Sequence, residues 1–298
     1  MKNTFGILLA AIGFTFYSCS EDSVINEDLN SPLATEMVSN DVSFEATATA
    51  LYEDIDEAAD FGMESIVSSS GRPGGGDKGG KKGGQKFGDC AVVTEDEATG
   101  TKTIDFGDGC EGRDGRVRSG QIVIEFSGEK KEVGSVRTTT LVDFAIDTIQ
   151  IEGVRTATFV SSTDTEMVYT QTLTGGKMTF PDGLVATRES SKTRVAYFDE
   201  EGEKSGAIKF GNSSGINKEN LAYSNVIEES TPLTFSSECR EEKVFAPVSG
   251  ISTSSLEGES DKVIDYGDGT CDNLATVTQD GVTEEIEIDG KQRRKKRK

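Results

Sequence analysis

Between Cys90 and Ile288 the apolar positions keep a period of two. Ile122, Ile124 and Phe126 alternate with Val123 and Glu125, and the run Val282 to Ile288 (VTEEIEI) ends in the same rhythm. Such alternation places successive side chains on opposite faces of a strand. Thr-rich runs such as Arg137 to Val142 suit strands as well, because β-branched side chains fit a pleated surface. Asp114-Gly115, Glu152-Gly153, Gly175-Gly176, Asp182-Gly183 after Pro181, Glu201-Gly202 and Asp280-Gly281 punctuate these runs. Asp-Gly and Gly-Gly pairs favour the positive φ angles of tight hairpins. No helical run of about twelve residues or more interrupts the pattern, which argues against parallel β-α-β units. The expectation is an all-β domain over residues 89–290, an antiparallel meander or sandwich of roughly 12–14 strands.

Upstream the period lengthens. Leu51, Ile55, Ala58, Ala59, Gly62 and Ile66 recur at helical spacing, with Glu53, Asp54, Asp56 and Glu57 between them. This predicts one amphipathic helix in residues 43–70. It is expected to cover a face of the sheet in its own molecule; docking on another protein is the alternative. Residues 71–88, GRPGGGDKGGKKGGQKFG, form a Gly/Lys-rich linker, a coil with an r.m.s. span of about 23 Å. Gly75 to Lys82 comes close to a phosphate-binding loop, but Lys82 stands where Ser or Thr must meet magnesium and no buried strand precedes it, so that reading is set aside.

The chain opens with Lys2 and an apolar run from Phe5 to Tyr17, too short to cross a bilayer as a helix. The run ends at Ser18-Cys19, which resembles the lipobox of bacterial lipoproteins, with Phe16 where Leu is usual. The resemblance implies a signal peptide over residues 1–18, cleavage before Cys19, and membrane attachment through lipid on that cysteine, each buried methylene adding about 0.8 kcal/mol. Residues 19–42 read as an acidic tether. The early acids Glu21 and Asp22 look like a surface-export signal of Bacteroidota lipoproteins. The expected location is the outer membrane, exposed at the cell surface. Residues 291–298 form a basic tail, KQRRKKRK, read as a solvated end or as a docking element for anionic partners.

With Cys19 lipidated, Cys90, Cys110, Cys239 and Cys271 remain, an even number in an exported chain and so two expected disulfides. Of three connectivities, Cys90–Cys110 with Cys239–Cys271 is favoured because each pair brackets a similar segment. Those segments are KTIDFGDGC (Lys102 to Cys110) and KVIDYGDGTC (Lys262 to Cys271). Each reads as a strand end, an Asp-Gly turn and a cysteine lock. The alternative is that Asp105 and Asp108, with Asp114 as a further candidate ligand, gather around calcium, as do Asp265, Asp268 and Asp272 in the second copy; calcium takes six to eight oxygens, and the D-x-D-x-D-G order of a proper calcium loop is missing. DFGDG is also similar to a string in polycystic-kidney-disease-type adhesion domains, where a Trp precedes it; this chain has no Trp.

The stretches TIDFGDGCEGRDGRVRSGQIVIEFSG (Thr103 to Gly128), FPDGLVATRESSKTR (Phe180 to Arg194) and VIDYGDGTCDNLATVTQDGVTEEIEI (Val263 to Ile288) together resemble a family of uncharacterised lipoproteins from flavobacteria and related Bacteroidota. The resemblance implies a compartment and an anchor and carries over no catalytic residue. Composition narrows the chemistry further. The chain has no His, which removes the usual general base near neutral pH, Ser-His-Asp and Cys-His arrangements, and imidazole-bound metals. The net charge of -22 makes nucleic acid a poor partner. Aromatic subsites are scarce, so a carboxylate-based glycan hydrolase is the weaker expectation. The chain is therefore expected to be a non-catalytic envelope or surface lipoprotein, a binding or structural module for a glycan, protein or envelope component. No cofactor is expected; calcium in an adhesion module is the alternative.

Overall fold

The computed structural model describes residues 41–65, 87, 89–112, 114–128, 132–242, 244 and 246–288. The signal peptide, Cys19, the tether up to residue 40, nearly all of the Gly-rich linker and the basic tail lie outside the described residues. The domain is mostly antiparallel β-sheet. It is a single sheet, so the meander holds and the sandwich does not. Among the described residues there are fifteen strands, and thirteen follow one another along the sheet: β1 (Val92–Asp96), β2 (Thr101–Asp105), β4 (Val117–Ser127), β5 (Val136–Ile146), β6 (Ile149–Ser162), β7 (Glu166–Thr179), β8 (Val185–Phe198), β9 (Lys204–Ile216), β10 (Ala222–Ile227), β12 (Ser249–Leu256), β13 (Lys262–Asp268), β14 (Leu274–Gln279) and β15 (Val282–Glu287). The two short strands, β3 (Cys110–Glu111) and β11 (Leu233–Ser236), continue interrupted neighbours. β2 and β3 both pair with β4, on either side of an insertion at Phe106 to Gly109. β10 and β11 both pair with β9, on either side of residues 228–232.

Helix α1 (Asp41–Ser65) begins two residues before the predicted start. Of the predicted face, Leu51, Ile55, Ala58 and Ala59 are buried, and Phe44 and Ala48 join them; the side chain position at Gly62 and residue Ile66 lie outside the described residues. Glu45, Tyr52 and Asp54 on the flanks are buried as well. At 100° per residue the covered positions span about 180° of the circumference, wider than the stripe of a surface helix. Among its described side chains, Ala50 and Glu57 are the exposed ones. This helix is a core element, not a cover.

What buries it is the sheet. Side chains of α1 meet Arg118 on β4, Arg137 on β5, Arg155 on β6, Gln171 on β7, Arg188 on β8, Lys209 on β9 and Tyr223 on β10. Laid flat, these seven neighbouring strands would be roughly 29 Å wide, while a helix with its side chains is about 10–12 Å across. The sheet therefore curls around α1. Register shifts cross β4, β5, β6 and β7 in succession, and bulges of this kind bend a sheet.

Two glycines show why the bend is encoded where it is. Gly120 on β4 has φ +75°, and a Cβ there would stand 2.2 Å from the Asp143 carbonyl oxygen. A Cβ on Gly176 of β7 would meet the Arg188 carbonyl oxygen at 2.4 Å and the Tyr52 hydroxyl at 2.9 Å, so its absence lets the helix approach. The sequence reading placed Glu152-Gly153 and Gly175-Gly176 in hairpin turns. Both instead lie inside long strands, at the bends. The other four Gly pairs do sit in turns, with φ of +75° at Gly115, +83° at Gly183, +78° at Gly202 and +79° at Gly281.

The disulfides are Cys90–Cys110 and Cys239–Cys271, with Cα atoms 5.6 and 5.0 Å apart. Each closes a loop worth about 3 kcal/mol in the chain-entropy account. The first fixes the β2–β3 segment at one end of the domain. The second ties the short helix α2 (Ser237–Glu241) to the loop after β13. The outermost strands, β1 and β15, are not joined to each other among the described residues. Both edges carry acids, Glu95 and Asp96 on one and Glu284, Glu285 and Glu287 on the other, which discourages pairing with another chain.

Candidate functional site

The inner face of the curled sheet is basic, and α1 turns its acids towards it. Period-two spacing places Arg188, Ser190, Lys192 and Arg194 on one face of β8, and Arg194 lies directly opposite Lys209 on β9. Glu45 meets this row first. Arg188 donates to it through both terminal nitrogens, Nη2 at 2.7 Å from Oε1, and the Ser213 hydroxyl adds a bond of 3.0 Å. Lys192 Nζ lies 3.5 Å away. Burial alone would raise the Glu45 carboxyl, but Arg188, Lys192 and the Arg188 and Ser213 hydrogen bonds outweigh it and hold the group at about 2. Burial lowers the Lys192 ammonium; Arg188 and Lys209 act in the same direction, against Glu45 and Glu53.

Further along, Asp54 accepts two bonds from Arg118, 2.8 Å from Nε and 2.7 Å from Nη2, and the far side of that guanidinium is taken by Asp114. Phe87, within the segment read as linker, is buried with its ring centroid 4.9 Å from the same guanidinium. Asp56 accepts from Arg155 Nε at 2.9 Å and lies 3.5 Å from Arg137. Tyr52 donates to the Glu152 carbonyl at 3.0 Å; burial is the main force raising its phenol. Lys209 pairs with Glu53, whose carboxyl is lowered because Lys209 outweighs the cost of burial.

On the exposed strip of α1 the fit to the sheet is incomplete, and a cleft of about 270 Å³ remains, reaching from Thr49 and Tyr52 to α2. Seven cationic side chains line it: Arg155, Arg188, Lys192, Arg194, Lys204, Lys209 and Arg240. The acids lining it are three, Glu53, Asp56 and Glu57. Phe235, Gln171 and several hydroxyls complete the walls. In a chain of net charge -22, this local excess of positive charge is the feature most unlike its surroundings, and a concave, single-sign surface concentrates counter-ions.

The Asp residues proposed for calcium serve turns. Asp105 accepts from the Gly107 amide at 2.7 Å and from Gln121 at 2.9 Å, and Asp265 accepts from the Gly267 amide at 2.9 Å. The two copies thus share an Asp side chain bonded to the amide two residues on, at the end of β2 in the first and within β13 in the second. Asp268 accepts from the Thr270 hydroxyl at 2.7 Å. The Gly107 amide bond lowers the Asp105 carboxyl, and the Thr270 bonds lower Asp268. Asp108 borders a shallow depression with Asp105 and Asp143. Among the described residues no group of three or more acids or thiols is placed to hold a metal ion.

The sequence reading found the acids of α1 but not their partners. The available signal was the period-two cations of RESSKTR in β8, set against a helix rich in acids. Comparison with protein-family models, with curated proteins and with solved structures returns no match to this chain.

Proposed function

We propose that the protein is an exported lipoprotein, held at the outer membrane by acylated Cys19 and facing the cell surface, whose helix-filled β domain is a non-catalytic binding module. The observation that carries this reading is the thiol count. Two disulfides take up four of the five cysteines, which suits an oxidising compartment and leaves Cys19, at the end of the apolar leader, for lipid. No described helix is long and apolar enough to cross a membrane. The binding role rests on the basic cleft. Catalysis is disfavoured by the missing His and by the direction of the carboxyl shifts. Glu45 and Glu53 are held ionised by their cations, whereas a general acid needs its carboxyl raised.

Growth with a labelled fatty acid, followed by fractionation and mass spectrometry of the mature protein, tests the anchor. Label on an N-terminal peptide starting at Cys19, lost together with membrane association in Cys19→Ala, is expected. A mature chain that starts at Met1, or that carries no acyl group, contradicts it.

A further inference from the structure

On β5 to β9 the residues that meet α1 alternate with residues that point away from it, and the register lines the latter up in rows across the sheet. One row is Thr138, Thr156, Thr172, Ser191 and Asn212. The next is Val136, Thr158, Thr170, Thr193 and Phe210. Beyond it runs a third, through Val168, Val195 and Ile208. On the other side Thr140, Val154 and Thr174 extend the face over β5 to β7. None of these side chains is charged, in a chain whose residues are 28% charged, and none of them is buried. The nearest acids on this face, Glu125, Glu166 and Glu189, stand at its margins. Ion pairs line the inside of the curl, while hydroxyls and methyls cover the outside.

Depletion of charge at the centre of a patch is the compositional mark of a protein interface. Two features select a second copy as the partner. The net charge of -22 makes two copies repel through their other surfaces, so they meet at least cost where no charge stands. A hydroxyl both donates and accepts, so a Thr-rich face complements itself, as a two-fold interface requires. The Thr156 and Thr172 hydroxyls, 2.6 Å apart, already bond in this way within the sheet. Five strands about 4.8 Å apart and four rows about 6.7 Å apart cover roughly 650 Å². Two copies supply about 1,300 Å², the low end for specific interfaces. We propose that the outer face of β5 to β9 pairs with the same face of a second copy in a weak dimer. The face is convex and its rows hold a single aromatic anchor, Phe210, which sets the dissociation constant on the order of 10–100 µM. The pairing depends neither on the lipid nor on the cleft.

The test is static light scattering of the full chain in detergent, with protein and detergent mass resolved, over concentrations about tenfold either side of this constant. The protein mass should rise from one copy to two. Ser191→Glu and Thr172→Glu each place a charge near the centre of the face. Both sites are accessible, so the melting midpoint should stay nearly unchanged. Each should weaken dimerisation at least about tenfold, because the new charge is desolvated against a face with no counter-ion. If Thr172→Glu lowers the melting midpoint, Ser191→Glu, at the more exposed site, carries the comparison. Glu201→Gln, in the exposed turn between β8 and β9, should leave the constant as it is. A parent that stays at one copy throughout overturns the proposal, as does growth beyond two copies. An association that both Glu variants leave intact overturns it as well, since another surface or the N-terminal segment then holds the copies together. A single-copy parent that binds more detergent than the Glu variants assigns the face to lipid instead.

Discussion

Glu45 is ionised where water scarcely reaches, and this is tolerable only because Arg188, Ser213 and Lys192 surround it. Removing one partner of a buried pair strands the other, at a cost of about 3–5 kcal/mol. Glu45→Gln keeps the shape and leaves Arg188 buried beside a neutral amide, so urea unfolding should show a loss of about 3 kcal/mol. The pH dependence follows from the same group. Its carboxyl is depressed from 4.5 to about 2 in the folded protein, so the folded state favours the ionised form. That contribution is complete above pH 4.5 and is lost as pH falls towards 2. It amounts to about 3 kcal/mol across the window. Unfolding midpoints measured from pH 6 down to 2 should therefore fall less steeply in Glu45→Gln than in the parent; parallel profiles would show that Glu45 is not held in this way.

At the level of elements, the bends of the sheet decide whether the helix fits. Gly176→Ala places a methyl against the Arg188 carbonyl and the Tyr52 hydroxyl, so β7 or α1 must shift. A loss of about 1–3 kcal/mol is expected from thermal or denaturant unfolding, the range for overpacking and backbone displacement. Tyr52→Phe, which loses only one hydrogen bond, should cost about 1 kcal/mol. These bends mark the limit of what the sequence made legible. Strand alternation at Ile122, Ile124 and Phe126 and the Asp-Gly turns were readable because each is settled by neighbours in the chain, and the cysteine pairs, 20 and 32 residues apart, because each brackets a copy of one repeated segment. Gly153 and Gly176 were not, because a glycine that ends a strand and one that bends it have the same local signature. Only the approach of Tyr52, more than a hundred residues away from Gly176, distinguishes them.

For the molecule as a whole, the sheet closes on a helix that precedes it in the chain, and the cleft exists because the two surfaces do not quite fill the space between them. The acids of α1 were visible from the start, yet a charged helix face ordinarily reads as a solvated one. Their burial follows from cations contributed by five strands, an arrangement that no local pattern announces. If the helix is the core around which the sheet wraps, it cannot open alone, because its departure would take Glu45 from Arg188 and leave Arg118 with Asp114 alone. Native-state hydrogen exchange of the full chain, read by mass spectrometry, tests this directly. Amides of α1 between Phe44 and Ala59 should exchange together with those of β6 to β9, at the free energy of global unfolding. Rapid exchange of α1 while those strands remain protected would contradict the account.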